Sequence, residues 1–379
     1  MRVEVAPEIL RWACNRANLD IQIVARKLPQ LSAWVRGEKK PTLKQIERFA
    51  KIVRAPVGFM FLPRPPEEHL PIPDFRTVGN AHIGHPSPDL LETIYLCQQR
   101  QEWYRNFSVS MHENPLPFVG SASQRDGIKS VAQKIRQALG FEIESRSKLA
   151  TWEQALRQFI TQSDEAGIMV MVSGVVGSNT HRKLDFEEFR GFALADDRAP
   201  LVFINGKDTK SAQMFTLAHE LAHIWLGKTG VSDVGPITRP SNKVEQWCNK
   251  VAAEMLVPLN SIKNQYRKTN EASEEMTRLA RFYKVSTLVI LRRMFDADFI
   301  TDSDFFELYN AELERLLTIK KRARGDYYRS QPARVSKRFA RALILSTLEG
   351  QTLHRDAFRL LGVRKLATFR ELGDRLGIM

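Results

Sequence analysis

The feature that most constrains this chain is Phe215-Thr-Leu-Ala-His219-Glu220-Leu221-Ala222-His223-Ile-Trp-Leu-Gly227. Two histidines at this spacing project from one helical face, one turn apart, so both imidazoles can reach one tetrahedral Zn²⁺. Glu220 adjoins the first of them, where its carboxylate can take a proton from a water that the metal activates. The other face carries Leu217, Leu221 and Trp225, which predicts a buried helix whose ligands look into a cleft. With 8 histidines in 379 residues, chance produces such a pattern about once in a hundred chains of this kind. The rival reading is a helix with two solvated or capped histidines, and the rest of the chain has to decide between them.

An open catalytic zinc site needs a third protein ligand. Val244 to Pro258 reads as a second helix, stopped by the proline, with Glu245 and Glu254 as candidates. Nine residues turn a helix through about 900°, so the two carboxylates face opposite ways. Glu245 shares its face with Asn249, Ala252 and Leu256, and Asn249 stands where it can orient a ligating histidine. Ala252 and Ala253 allow close helix packing. The expected ligands are therefore His219, His223 and Glu245. Glu254, Asp233 and the Glu187-Glu188 pair are the alternatives, the last three read as surface charges. His82, His85, His181 and His354 lack metal spacing. Tyr283, Arg281, Arg292 and His181 remain open as oxyanion stabilisers, none of them selected by spacing.

Residues 6–56 read as compact helices joined by tight turns, the grammar of a helix-turn-helix module. Pro7 opens the first, Asp20 caps Ile21–Lys27, Gly37 ends a third and Pro41-Thr42 opens a fourth. Leu62 to Thr77 is proline-dense and predicts an extended connector. Helices are expected from Pro88 to about Arg105, Gly127 to Leu139, and Thr151 to Ser163. The apolar runs 167–172, 191–194 and 201–205 then suggest a small sheet. Helices resume at Ser211–Leu226, Asn242–Leu256 and Glu274–Phe282, and continue to the end.

Charge is concentrated at the ends. Of a net +14, residues 320–379 hold 15 Lys and Arg against 5 Asp and Glu, and residues 1–76 hold 14 against 8. Basic ends around a near-neutral centre suit an acidic partner, against the plainer reading of solvated helix faces. Tyr327, Tyr328, Phe339, Phe358, Leu360 and Phe369 interleave with the tail's arginines, which favours a folded surface over a disordered nucleic-acid arm. The three cysteines, Cys14, Cys97 and Cys248, are widely spaced, so a zinc ribbon is excluded and a reducing compartment expected. No long apolar run and no basic–apolar leader is present, so a cytoplasmic protein without a membrane partner is expected.

The chain resembles the ImmA/IrrE family of metallopeptidases with an N-terminal Xre-type (Cro/C1-like) helix-turn-helix. The likeness rests on Gly191-Phe-Ala-Leu194, Ala199-Pro200, Phe203-Ile-Asn205, the Phe215–His223 run, and Glu245-x-x-Cys-Asn249 with Ala252 to Pro258. Trp34-x-x-Gly-x-x-x-Pro41-Thr, Pro73-Asp-Phe-Arg-Thr77 and the segment from Arg338 to Leu376 are similar to long members. Cys248 stands where the family mostly has Ala. The resemblance implies His219, His223 and Glu245 as ligands of Zn²⁺ and Glu220 as catalytic base. It implies an α+β, mostly α architecture, with a helix-turn-helix domain at 1–60 and a connector with helical linker at 61–145. A zincin-like metallopeptidase domain with a small β-sheet follows at 146–300, and a basic helical C-terminal region at 301–379. One departure stands out: Leu28 to Arg36 is about one turn short of a full recognition helix, and Pro29 cannot sit inside one. Such a reader touches fewer base edges.

The function expected is a zinc-dependent endopeptidase-type regulator that cleaves or antagonises a regulatory protein, a repressor or a cognate toxin. Its substrate would add as a strand at the edge of the small sheet, expected at Leu201–Asn205. The alternative is an antitoxin or transcriptional regulator that acts by binding, with DNA contacted through the N-terminal domain.

Overall fold

The computed structural model describes residues 1–76, 86–232, 242–269, 271–322 and 334–378. His82, His85, Thr77, Asp233, Tyr327 and Tyr328 lie outside them. Among the described residues the protein is mostly helical with one four-stranded mixed sheet. It divides into two units, Met1–Pro71 with Val78–Tyr95, and Ile72–Thr77 with Leu96–Met379.

In the first unit the helices are Pro7–Arg16, Ile21–Lys27, Leu31–Val35 and Leu43–Ile52, followed by a 3₁₀ turn at Val57–Phe61. Local chemistry sets their ends. Asp20 accepts from the Gln22 amide at 2.6 Å, and Thr42 and Gln45 form a reciprocal capping box. Gly37 leaves the third helix at φ 76°, a backbone that a side chain would resist. Ile9, Leu10, Trp34, Ile46, Phe49 and Met60 share its core. The third helix has five residues: Pro29 delays its start and Gly37 closes it.

The second unit is built on the sheet. Its strands are β1 (Met169–Ser173), β2 (Gly191–Leu194), β3 (Leu201–Asn205) and β4 (Gly230–Ser232). Their order is β1-β3-β2-β4, with β1 parallel to β3 and the other pairs antiparallel. β3 is therefore internal, which corrects the expectation that Leu201–Asn205 forms the edge. The reason is its composition: a continuous Leu-Val-Phe-Ile run is buried on both faces and needs neighbours on both sides. β4, three residues long and led by glycine, carries too weak a signal to read from sequence.

Lys210–Leu226 packs on β2 and β3 and against Lys243–Leu256. Thr209 caps the first helix, and Gly227 ends it at φ 64°. The second is held at its C-terminus by three arginines. Arg136 donates to the Glu254 carbonyl at 2.9 Å, Arg146 to the Leu256 carbonyl, and Arg293 to the Val257 carbonyl at 2.8 Å. Cations at the carbonyl end satisfy orphan acceptors and complement the helix dipole. The Pro88 helix runs to Ser110, five residues beyond the expected end. Lys337–Leu348, His354–Leu361 and Leu366–Arg375 close the chain. Buried Asp164 ties them down, accepting from Ser336 Oγ at 2.7 Å and from the Lys337 amide at 3.1 Å. No helix among the described residues is long and apolar enough to cross a membrane, and the three cysteines are buried and free.

Candidate metal centre

His219 and His223 project from the same side of Lys210–Leu226, and Glu245 meets them from the first turn of Lys243–Leu256. One ligand atom from each of the three lies within 4.8 Å of the others. Glu245 Oε2 is 3.2 Å from His219 Nε2, and Oε1 is 2.9 Å from His223 Nε2. The latter contact lacks hydrogen-bond geometry and leaves Oε1 unsatisfied. The two Nε2 atoms stand 3.1 Å apart. Asn249 Oδ1 lies 2.9 Å from His219 Nδ1. An amide oxygen only accepts, so the imidazole proton sits on Nδ1 and Nε2 presents its lone pair.

These observations fit a bound metal. The candidate ligand atoms lie within 4.8 Å of one another, the carboxylate keeps an unsatisfied oxygen, and two imidazoles with one carboxylate suit Zn²⁺. Protonation agrees. Burial pushes the His223 imidazole below its usual range. For Glu245, burial works to raise the carboxyl, but the attraction of the neighbouring His219 and His223 imidazoles outweighs it and holds it at about 2. Neutral imidazole and ionised carboxylate are the ligating forms.

Glu220 is fully buried beside this cluster, and neither carboxylate oxygen has a hydrogen-bond partner. Burial, and then the Glu245 charge, push its carboxyl well above the ordinary range. An isolated buried carboxyl is costly, and groups kept at such a cost cluster at functional sites. Space around it is tight: a Cβ on Gly191 would stand 3.1 Å from Glu220 Oε1.

Glu254 does not join the cluster. It pairs with Arg293 and accepts from the Leu259 amide at 3.2 Å. Among the open oxyanion candidates, Tyr283 shares a 2.7 Å hydrogen bond with Ser261, and Arg292 pairs with Asp296 at 2.9 Å. His181 and Arg281 are exposed, as is Glu187, while Glu188 is half-buried. The ligand helix differs from expectation: Gln213 to Trp225 is buried all round, so among the described residues the histidines face no open cleft. Two neighbours enclose them. Ser232 Oγ on β4 is 3.4 Å from His223 Nε2, and the Phe75 ring stacks on the His223 ring at 5.6 Å and 11°. Sequence reasoning named neither Ser232 nor Phe75 as a site residue. Phe75 had a signal, its place in the proline-dense connector. Ser232 had none.

Residues 164–295 match the peptidase family model described as IrrE N-terminal-like domain. The match contains His219, Glu220, His223, Glu245 and Asn249 and supports the likeness to ImmA/IrrE metallopeptidases; it does not reach residues 1–60. Residues 335–375 match a family model described as a domain of unknown function. No curated protein matches the chain.

Proposed function

We propose that the chain is a zinc-dependent endopeptidase of zincin-like fold that acts on a regulatory protein, a repressor or a toxin–antitoxin partner. Glu220 is the observation that carries this reading. A structural metal site needs ligands only, whereas this one has a second, unligated and unsatisfied buried carboxyl beside it. His219, His223 and Glu245 would hold the ion, and Asn249 would fix the His219 ring. Zn²⁺, when bound, supplies the Lewis acidity that acidifies water and polarises a carbonyl. Glu220 would take the proton of the attacking water, helped by its raised affinity for protons, and deliver it to the leaving amine.

The burial of all four groups favours a second reading, a regulator that works by binding. In that reading the N-terminal helices, a helix-turn-helix-like module with a five-residue third helix, dock on protein or DNA. The basic C-terminal helices, with their apolar spacing, would dock an acidic protein face. Glu220→Gln separates the two readings. It is expected to keep about one zinc per chain and to lose cleavage of a peptide library. His219→Ala with His223→Ala is expected to lose the zinc. A Glu220→Gln protein that performs every cellular function of the wild type establishes the binding reading instead.

A further inference from the structure

A peptidase centre has to admit a polypeptide, and this one is shut: His219, Glu220 and His223 have no exposed surface and Glu245 has 2%. The chain itself closes the side nearest His223. β4 pairs with β2 along one edge. On its other edge Val231 pairs with residues 73–75 in parallel. The Phe75 amide donates to the Val231 carbonyl at 2.9 Å, and the Val231 amide donates to the Pro73 carbonyl at 2.9 Å. This is strand addition, the backbone mode by which a sheet edge takes an extended peptide.

Three further fittings hold the segment. The Phe75 ring lies flat on His223. Gly230 leaves room for it: a Cβ there would run into the Phe75 ring and stand 3.1 Å from the Pro73 carbonyl oxygen. Beyond the ring, buried Arg76 grips Asp74 through two bonds of 2.8 and 2.7 Å and reaches the Glu188 carbonyl at 3.3 Å. Among the described residues two backbone hydrogen bonds join the segment to β4, whereas β3 is laddered on both sides. A strap so held is the first part of such a sheet to open locally.

Resting on the reading of this site as a peptidase centre, we propose that residues 72–76 occupy the groove of the substrate strand. The centre is latent until this strap leaves β4. The substrate that replaces it is an extended segment that lays an aromatic side chain on His223. The Pro73 carbonyl is spent on the Val231 amide and turned toward β4, so the strap fills the groove without presenting that bond for attack.

The test uses the full chain loaded with zinc, as wild type, Phe75→Ala and Gly230→Ala. The second variant evicts the strap from the opposite side while leaving its sequence intact. Zinc content comes first, and near one ion per chain is expected in all three; a wild type that holds no zinc overturns the peptidase-centre reading, and this proposal with it. Zinc removal by EDTA and hydrogen exchange of the Val231 amide come next. Both should run about tenfold faster or more in each variant, the equivalent of about 1.4 kcal/mol, while amides of β3 stay protected. Peptide Pro-Ile-Pro-Asp-Phe-Arg, added in trans, should slow zinc loss from Phe75→Ala, and its Phe-to-Ala counterpart should not. Wild-type rates of zinc removal and Val231 exchange in both zinc-loaded variants refute the strap while leaving the metal centre standing.

Discussion

Arg293→Met probes what holds the Glu245 helix in place. Arg293 is 5% exposed and its partner Glu254 6%. The guanidinium also donates to the Val257 carbonyl at 2.8 Å and reaches Asp296 at 3.1 Å. Methionine fills similar volume but takes away the ion-pair partner of buried Glu254 and leaves the Val257 carbonyl without its donor. Breaking one side of such a pair costs about 3–5 kcal/mol. Glu254→Gln with Arg293→Met removes that buried charge while keeping an oxygen for the Leu259 amide, so the double variant should recover about 2 kcal/mol of that loss. Urea denaturation of the four proteins measures the cycle. Zinc content should stay at the wild-type level throughout, because Glu245 lies on the opposite face of the helix, away from the substituted groups. An Arg293→Met protein within about 1 kcal/mol of wild type would refute the reasoning, as would a double variant no more stable than Arg293→Met.

Three other outcomes are expected. Burial raises the Asp164 carboxyl from 3.8 to about 6, against the lowering by hydrogen bonds from Ser336, Val170 and Lys337. Its folded-state pKa exceeds the unfolded one, so its contribution is complete below about pH 4 and lost as pH rises through 6. That contribution is about 3 kcal/mol, and Asp164→Asn should flatten this part of a stability–pH curve measured by urea titration. Gly191→Ala puts a Cβ 2.6 Å from Thr216 Cγ2 and 2.9 Å from the Phe203 carbonyl oxygen; thermal unfolding should report a loss of about 1–3 kcal/mol, with zinc retained and Glu220 displaced. Asn249→Ala removes the acceptor of His219 Nδ1, and zinc affinity measured by chelator competition should fall about 10- to 100-fold.

Local signals in this sequence carry unusual weight. His219, Glu220 and His223 are legible because helical spacing alone puts the two imidazoles on one face. Glu245 is separable from Glu254 because nine residues of helix reverse direction, and the structure brings the first to the histidines and the second to Arg293. Asp20, Pro41-Thr42, Thr151 and Gly37 mark helix ends by chemistry that needs no distant partner. The runs 191–194 and 201–205 coincide with β2 and β3, since continuous apolar segments bounded by turn residues have few other uses.

Strand order, by contrast, was decided only by the tertiary structure. An apolar run says that a strand is buried, not which strands flank it, so β3 came out internal and the edges fell to β1 and β4. β4 itself has three residues and no periodicity to detect. The closure of the centre is a tertiary fact of the same kind. Phe75 and His223 are 148 positions apart in the chain, and nothing local to either announces the other. They meet because β4 follows the histidine helix through a glycine turn and offers its free edge to a segment that proline had already made extended. Sequence determined which groups could do chemistry, because ligand geometry is set within a turn or two of helix. Which groups are sealed, and by what, depends on contacts between segments far apart in the chain, and those are settled only when the sheet assembles.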